Sequence, residues 1–290
     1  MKKVFFIIAV IIAISCNRNS PDSGAKIITV SIAPFGYFVK EIAGDDFNVN
    51  IMVPAGANPH IYEPYPEQIT KLRKSVAYIS NGFLGFEMTW LDRFYEMNTS
   101  MTRLSLGDAI VPIRSEHEHE GEHSEGADPH YWVSPKCAAS MALSVKELIS
   151  SLNPSATDKY ESNYATLVSK IGEMDKKASS LFSSYRGESF MIYHPNLAYL
   201  ARDYGLEEVS VEFEGKEPPP SRLKELIDFS RTKNIHSIFV QREYDVRNAK
   251  AIADEIDAEV VVIDPLSGDW MKSTTDIIEA LHLSFTNSRK

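Results

Sequence analysis

Cysteine is scarce in this chain, with only Cys16 and Cys137 among 290 residues. At most one disulfide is possible, so stability has to come from a buried core, and 43% hydrophobic residues over this length suffice for two ordinary domains. Positive charge is also short: 30 Lys and Arg stand against 40 Asp and Glu, a formal charge of −10. An acidic surface disfavours nucleic acid as a partner and mildly favours cations. The apolar run Val4 to Ile14 covers 11 residues, too few to cross about 30 Å of hydrocarbon as a helix, which makes a transmembrane anchor the weaker reading.

That run reads instead as an export signal over residues 1–15, opened by Met1-Lys2-Lys3 and closed by Ala13-Ile14-Ser15. Cys16 directly after a small residue resembles a bacterial lipobox, although Ala13 stands where that motif usually has leucine. Cys16 would then be diacylated and anchor the chain to the cell envelope, on the periplasmic or outer cell-membrane side. The competing reading is a plain secretory signal with a stray cysteine. Residues 16–25 read as a flexible tether. Without Lys2 and Lys3 the formal charge moves from −10 to −12. A lipidated Cys16 leaves Cys137 without an intramolecular partner, so no disulfide forms despite export.

Strand and helix patterns alternate along the rest, the signature of α/β structure with parallel sheets. Strands are expected at Lys26-Ile32, Asn48-Val53, Val76-Ser80 and Met101-Leu104, then at Ser189-Tyr193, Glu207-Glu212, Ser237-Gln241 and Glu259-Ile263. The expected fold is two α/β lobes, residues 26–154 and 187–290, each a four-stranded parallel sheet flanked by helices around its own apolar core. Between them, residues 155–186 place Tyr160, Tyr164, Leu167, Ile171, Met174, Ala178 and Leu181 at spacings of three and four. This predicts one long amphipathic helix, started by Asn153-Pro154-Ser155 and stopped by Gly187, with a break at Gly172 as the alternative. A continuous helix makes a stiff connector, unlike a linker that permits wide hinge closure.

Against that frame, His60, His130, His194 and Asp264 recur about 65 to 70 residues apart. His194 directly follows the strand pattern Phe190-Met191-Ile192-Tyr193, and Asp264 follows Val260-Val261-Val262-Ile263. His60 lies in the loop after the second strand, and His130 just ahead of a helix beginning near Ser134-Pro135. Ligands of open parallel sheets bind beyond the carboxyl ends of strands, which brings candidates from both halves to one rim. Each histidine alone is more often structural than a ligand; their joint placement points to one metal site. Imidazole nitrogen and carboxylate oxygen suit a borderline ion such as Zn²⁺, and four ligands close a tetrahedral shell with no place for a reacting water. A closed shell argues for carrying metal. The rival reading is a zinc hydrolase with three ligands and a bound water, Asp264 being a base, but no convergent general base or substrate pocket is legible.

The segments Val53-Pro54-Ala55-Gly56-Ala57-Asn58-Pro59-His60-Ile61-Tyr62-Glu63-Pro64, Asp128-Pro129-His130-Tyr131-Trp132, His194-Pro195-Asn196-Leu197-Ala198-Tyr199-Leu200 and Ile263-Asp264-Pro265-Leu266 resemble the four ligand segments of the zinc/manganese ABC-transporter substrate-binding proteins. Asn81-Gly82-Phe83-Leu84-Gly85-Phe86-Glu87 and Gly215-Lys216-Glu217-Pro218 extend the likeness to nearly the whole exported chain. The resemblance implies metal held in a cleft between two lobes, no chemical step, a monomer, and an ABC permease with its ATPase as partners. Zn(II) is the expected cargo, with Mn(II) the alternative, because the family varies between acidic residues and histidine at the third and fourth ligand positions. Zinc-binding relatives also carry a disulfide in the C-terminal lobe, which this chain cannot form.

Glu116-His117-Glu118-His119-Glu120-Gly121-Glu122-His123-Ser124-Glu125 packs three imidazoles among five carboxylates and reads as an auxiliary zinc-collecting loop, or as a solvated acidic loop without a role. It contains a literal H-E-x-x-H at 119–123, but a zincin motif needs a packed helix with apolar flanks, and Gly121 with polar neighbours offers neither. Trp90, Phe94 and Tyr95 read as packing residues, and His236 and His282 as structural. Three free imidazoles of ordinary pKa also predict zinc binding that weakens steeply from about pH 7 to pH 5, with the metal-free protein less affected.

Overall fold

A computed structural model describes residues 25–114, 126–212 and 218–288. The lipobox cysteine Cys16, the His-rich segment with His117, His119 and His123, and Gly215-Lys216-Glu217 lie outside the described residues. The described residues form two four-stranded, all-parallel sheets. The first contains β1 (Lys26–Ile32), β2 (Phe47–Val53), β3 (Ser75–Ser80) and β4 (Thr102–Ser105) in the order β2-β1-β3-β4. Its crossovers carry α1 (Ala33–Ala43), α2 (Pro66–Leu72) and α3 (Gly85–Met97). The second repeats the order as β6-β5-β7-β8, from β5 (Ser189–Ile192), β6 (Glu207–Ser210), β7 (Ser237–Gln241) and β8 (Glu259–Ile263). Here α6 (Ala198–Tyr204), α7 (Pro220–Thr232) and α8 (Val246–Ile256) are the crossovers, and α9 (Trp270–Ser288) follows. Helices on both faces explain why β5 and β7 are buried at every position.

Two helices join the sheets. α4 (Pro135–Leu152) starts where Ser134 Oγ accepts from the backbone N–H groups of Lys136 and Cys137, with Pro135 pre-setting the first turn. α5 (Thr157–Phe182) then runs 26 residues without a break, about 39 Å. Gly172 does not interrupt it. A mid-helix glycine costs about 1 kcal/mol relative to alanine, while each large apolar side chain fully buried contributes roughly 1.5–3 kcal/mol, and α5 buries Tyr160, Leu167, Ile171, Met174 and Phe182 along one stripe. The helix nevertheless ends at Phe182, five residues before the expected stop at Gly187. Tyr185 leaves the helical path to stack on Phe285 of α9, its backbone N–H bonding the Phe182 carbonyl at 2.9 Å.

The cores differ from the expectation of one per lobe. A single cluster of buried residues runs from the first sheet through α4 and α5 to Phe190, Ile192, Phe239 and Ile263 of the second sheet and on to Trp270, Ile277 and Phe285. Only the opposite face of the second sheet has a separate core, with Met191, Ile238 and Val240 under α7 and α8. The physical reason is that α5 packs against both α4 and α9, so that one apolar surface runs through all three. Direct bonds reinforce it: Trp132 Nε1 donates to the Pro265 carbonyl at 2.8 Å, and Trp270 Nε1 to the Trp132 carbonyl at 2.6 Å. Phe94 is buried with Trp90 stacked on it. No helix among the described residues is long and apolar enough to cross a membrane.

Candidate metal centre

Three histidines meet where the carboxyl edges of the two sheets face each other. The rings of His60, His130 and His194 lie 5.0 to 5.4 Å apart between centroids. One nitrogen from each falls within 4.8 Å of the other two, and these three residues alone make up that group of potential ligands among the described residues. A tetrahedral zinc shell with Zn–N near 2.05 Å sets ligand nitrogens about 3.3 Å apart, a small contraction from this arrangement.

Each histidine is held by its backbone or its far ring nitrogen. His60 lies beyond β2, its N–H bonded to Asn58 Oδ1 at 2.8 Å. Gly85 opens α3 directly beneath it, where a Cβ would stand 2.9 Å from the His60 carbonyl oxygen. The His130 segment is fixed by Asn81 at the end of β3: Asn81 Nδ2 donates to the Pro129 carbonyl, and Tyr131 Oη donates to the Asn81 carbonyl. Asp128 Oδ1 then accepts from the His130 backbone N–H at 2.7 Å and lies 2.9 Å from its Nδ1. His194 lies just beyond β5, and the chain leaving the neighbouring strand β6 brings Glu212 alongside it, the Glu212 N–H bonding the Tyr193 carbonyl. Glu212 Oε2 lies 2.6 Å from His194 Nδ1. A carboxylate accepting from Nδ1–H fixes the tautomer that leaves the Nε2 lone pair free for a metal.

Two of the donor atoms are free and dry. His60 Nε2 and His194 Nε2 are buried without a hydrogen-bond partner, a condition that native structures rarely leave unexplained and that a bound cation resolves. Burial first, then the neighbouring His130 and His194, push the His60 imidazole down to about 3. His194 is lowered as well, burial outweighing the raising effect of Glu212. Neutral imidazoles are what a metal requires.

Asp264 follows β8 at the same rim, but its Oδ2 pairs with Arg242 Nη1 at 3.2 Å, outside the histidine group. His236 is exposed and lies 3.0 Å from Asn234 Oδ1, and His282 packs edge-on to Tyr185; both are remote from the cluster. Sequence reasoning assigned no role to Asp128 or Glu212. The D-x-H spacing was a usable signal for the first, since an Asp two residues ahead can reach both the backbone and ring N–H. It also passed over Gln241-Arg242-Glu243-Tyr244, beyond β7. There Gln241 Nε2 donates to the His194 carbonyl, and Tyr244 stacks on the His194 ring at 4.9 Å and 19°. The rule that ligands sit beyond strand ends applied to β7 as much as to β5 and β8.

Two sheets of order 2-1-3-4 with ligands at their facing carboxyl edges define an α/β two-lobed metal-binding protein. Residues 28–282 match the model of the zinc-uptake complex component A, periplasmic, family, and the chain belongs to it. This is a transport family of binding proteins, the one the four ligand segments resemble. Among curated relatives, the zinc-binding lipoprotein AdcA of Streptococcus pneumoniae is 27% identical over 281 residues, 92% of this chain and 56% of that protein. The high-affinity zinc uptake system protein ZnuA of Bacillus subtilis is 26% identical over 268 residues, 88% of this chain and 83% of that protein. The chain thus spans about half the length of the AdcA relatives it matches. A crystal structure of ZnuA superposes with a TM-score of 0.83 at 33% identity, covering 90% of this chain and 99% of that one.

Proposed function

We propose that this protein is the extracytoplasmic receptor of an ABC importer, capturing Zn²⁺ between its lobes and handing it to a membrane permease driven by an ATPase, with no chemical step of its own. The observation that carries this reading is the convergence of three imidazoles, each approached from a different strand end or loop, with the Nε2 atoms of His60 and His194 buried and unpartnered. Relatives named for zinc binding and zinc uptake support it. His60, His130 and His194 form the constant part of the site, and a carboxylate from the rim of the second sheet completes the shell, Asp264 being the residue at the motif position. In this reading the protein is a monomer tethered through lipidated Cys16, and His117, His119 and His123 feed metal to the site. Three imidazoles favour Zn²⁺ over Mn²⁺.

Competition titration with both metals tests this. Zinc should bind more tightly at one site per chain, and His60→Ala should abolish that equivalent. Deleting residues 116–125 should leave it intact while removing weaker equivalents. Equal or tighter manganese binding would sink the zinc assignment, and loss of the tight equivalent on loop deletion would move the primary site.

A further inference from the structure

The segment Asn81-Gly82-Phe83-Leu84-Gly85-Phe86-Glu87 runs from the end of β3 into the first turn of α3, and it touches both histidine segments of the first lobe. Its last residue is a buried acid. Glu87 is 2% exposed, and its partners are a hydroxyl and the backbone of its own loop: Oε1 accepts from Ser31 Oγ of β1 and from the Asn81 N–H at 2.7 Å, and Oε2 from the Gly82 N–H at 2.7 Å. Burying a carboxylate is costly unless donors surround it. Burial raises the Glu87 carboxyl above its ordinary range, while these same donors act in the opposite direction. The loop between is shaped to bring its N–H groups inward: Gly82 has φ +96°, and a Cβ there would stand 2.7 Å from Ser105 Oγ.

From this loop two contacts reach the ligands. Asn81 Nδ2 donates to the Pro129 carbonyl at 2.9 Å and the Asn81 carbonyl accepts from Tyr131 Oη at 2.7 Å, so one residue holds the chain on both sides of His130. Gly85 faces the His60 carbonyl more closely than a side chain allows, and the Phe86 N–H bonds the Pro59 carbonyl at 3.4 Å. We propose that Glu87 is a positioning residue for the metal centre: its carboxylate fixes the 81–85 loop, and that loop sets the spacing of His60 and His130. The inference rests on the reading that the three histidines bind zinc. An apolar side chain could fill the same volume, but only an acceptor with two oxygens can turn the Asn81 and Gly82 N–H groups inward and leave the Asn81 amide free for Pro129. Two of the three imidazoles are thereby set within one lobe, independently of His194.

The test compares Glu87→Gln, Glu87→Asp, Ile42→Ala and His60→Ala in the purified chain, using zinc competition titration, the visible absorption of the Co²⁺-loaded protein and metal-free melting. Glutamine keeps the shape but turns an amide N–H against a loop N–H, whereas aspartate keeps the charge but withdraws it by one methylene. Both should weaken zinc by about 10- to 100-fold, the range for a group that orients a ligand, and both should alter the Co²⁺ spectrum. Ile42→Ala opens the core of the same lobe at the far end of α1. It should lower the metal-free melting temperature while leaving zinc affinity within twofold of the parent and the Co²⁺ spectrum unchanged, which separates positioning from general stability. Zinc affinity within twofold of the parent in either Glu87 variant that folds, or an equal loss in Ile42→Ala, overturns the role of Glu87. Retention of tight zinc by His60→Ala would instead overturn the three-histidine reading beneath it.

Discussion

Lowering the pH from 7 to 5 separates proton competition at the metal from proton competition with folding. Three independent imidazoles with the ordinary pKa near 6.5 would each cost the metal about 25-fold over this interval, roughly 10⁴-fold together. In the folded protein burial has removed much of that competition, because His60 protonates only near 3 and His194 also lies below its ordinary value. The share of His60 vanishes and that of His194 shrinks, so affinity for zinc should fall by less than about 10³-fold. The proton cost reappears in folding. A base whose folded pKa is depressed binds protons preferentially when unfolded, so its stability is intact above 6.5 and is lost progressively as pH falls towards about 3. His60 alone then costs the metal-free protein about 2 kcal/mol by pH 5. This departs from the expectation from sequence: the metal-free melting temperature should drop markedly between pH 7.5 and 5, while the increment added by zinc should shrink by less than about 4 kcal/mol, against about 5.5 kcal/mol for a 10⁴-fold loss of affinity. Thermal melts with and without zinc at both pH values, together with competition titration, measure both quantities. A 10⁴-fold loss of affinity with an unchanged metal-free melting temperature would refute the reasoning.

Glu212→Gln keeps the size of the side chain but weakens its hold on His194 Nδ1, and should cost about 10- to 100-fold in zinc affinity with little change in metal-free melting; an affinity equal to the parent would show that the His194 ring is fixed by Tyr244 stacking alone. Gly85→Ala puts a methyl group 2.9 Å from the His60 carbonyl oxygen, so it should displace the His60 loop and lower zinc affinity although alanine favours the helix by about 1 kcal/mol; calorimetric titration showing unaltered binding would mean that the loop moves freely. Trp132→Phe removes the indole N–H that bonds the Pro265 carbonyl and leaves a buried acceptor unpaired, at a cost of about 1–3 kcal/mol, readable as a lower midpoint in urea unfolding.

Where strands and helices lie was legible in sequence because hydrophobic period and turn residues act locally. β1, β7 and β8 were anticipated to the residue, and the parallel pairing followed from the alternation of element types. The candidate histidines were legible for a related reason: a parallel sheet puts the ends of its strands at one rim, so position along the chain predicts position in space. Tertiary structure decided what spacing cannot encode. Whether α5 would end at Gly187 or earlier depended on where Tyr185 finds Phe285, a partner 100 residues away. Whether the lobes would keep separate cores depended on three helices sharing one apolar surface. At the metal centre, the pairing of Glu212 with His194 and the capture of Asp264 by Arg242 depend on strand order, β6 beside β5 and β7 beside β8. Sequence determined which side chains can ligate, because donor chemistry belongs to the residue; the fold alone decided which donors are left unpaired, because that depends on every neighbour the packing brings within hydrogen-bond reach.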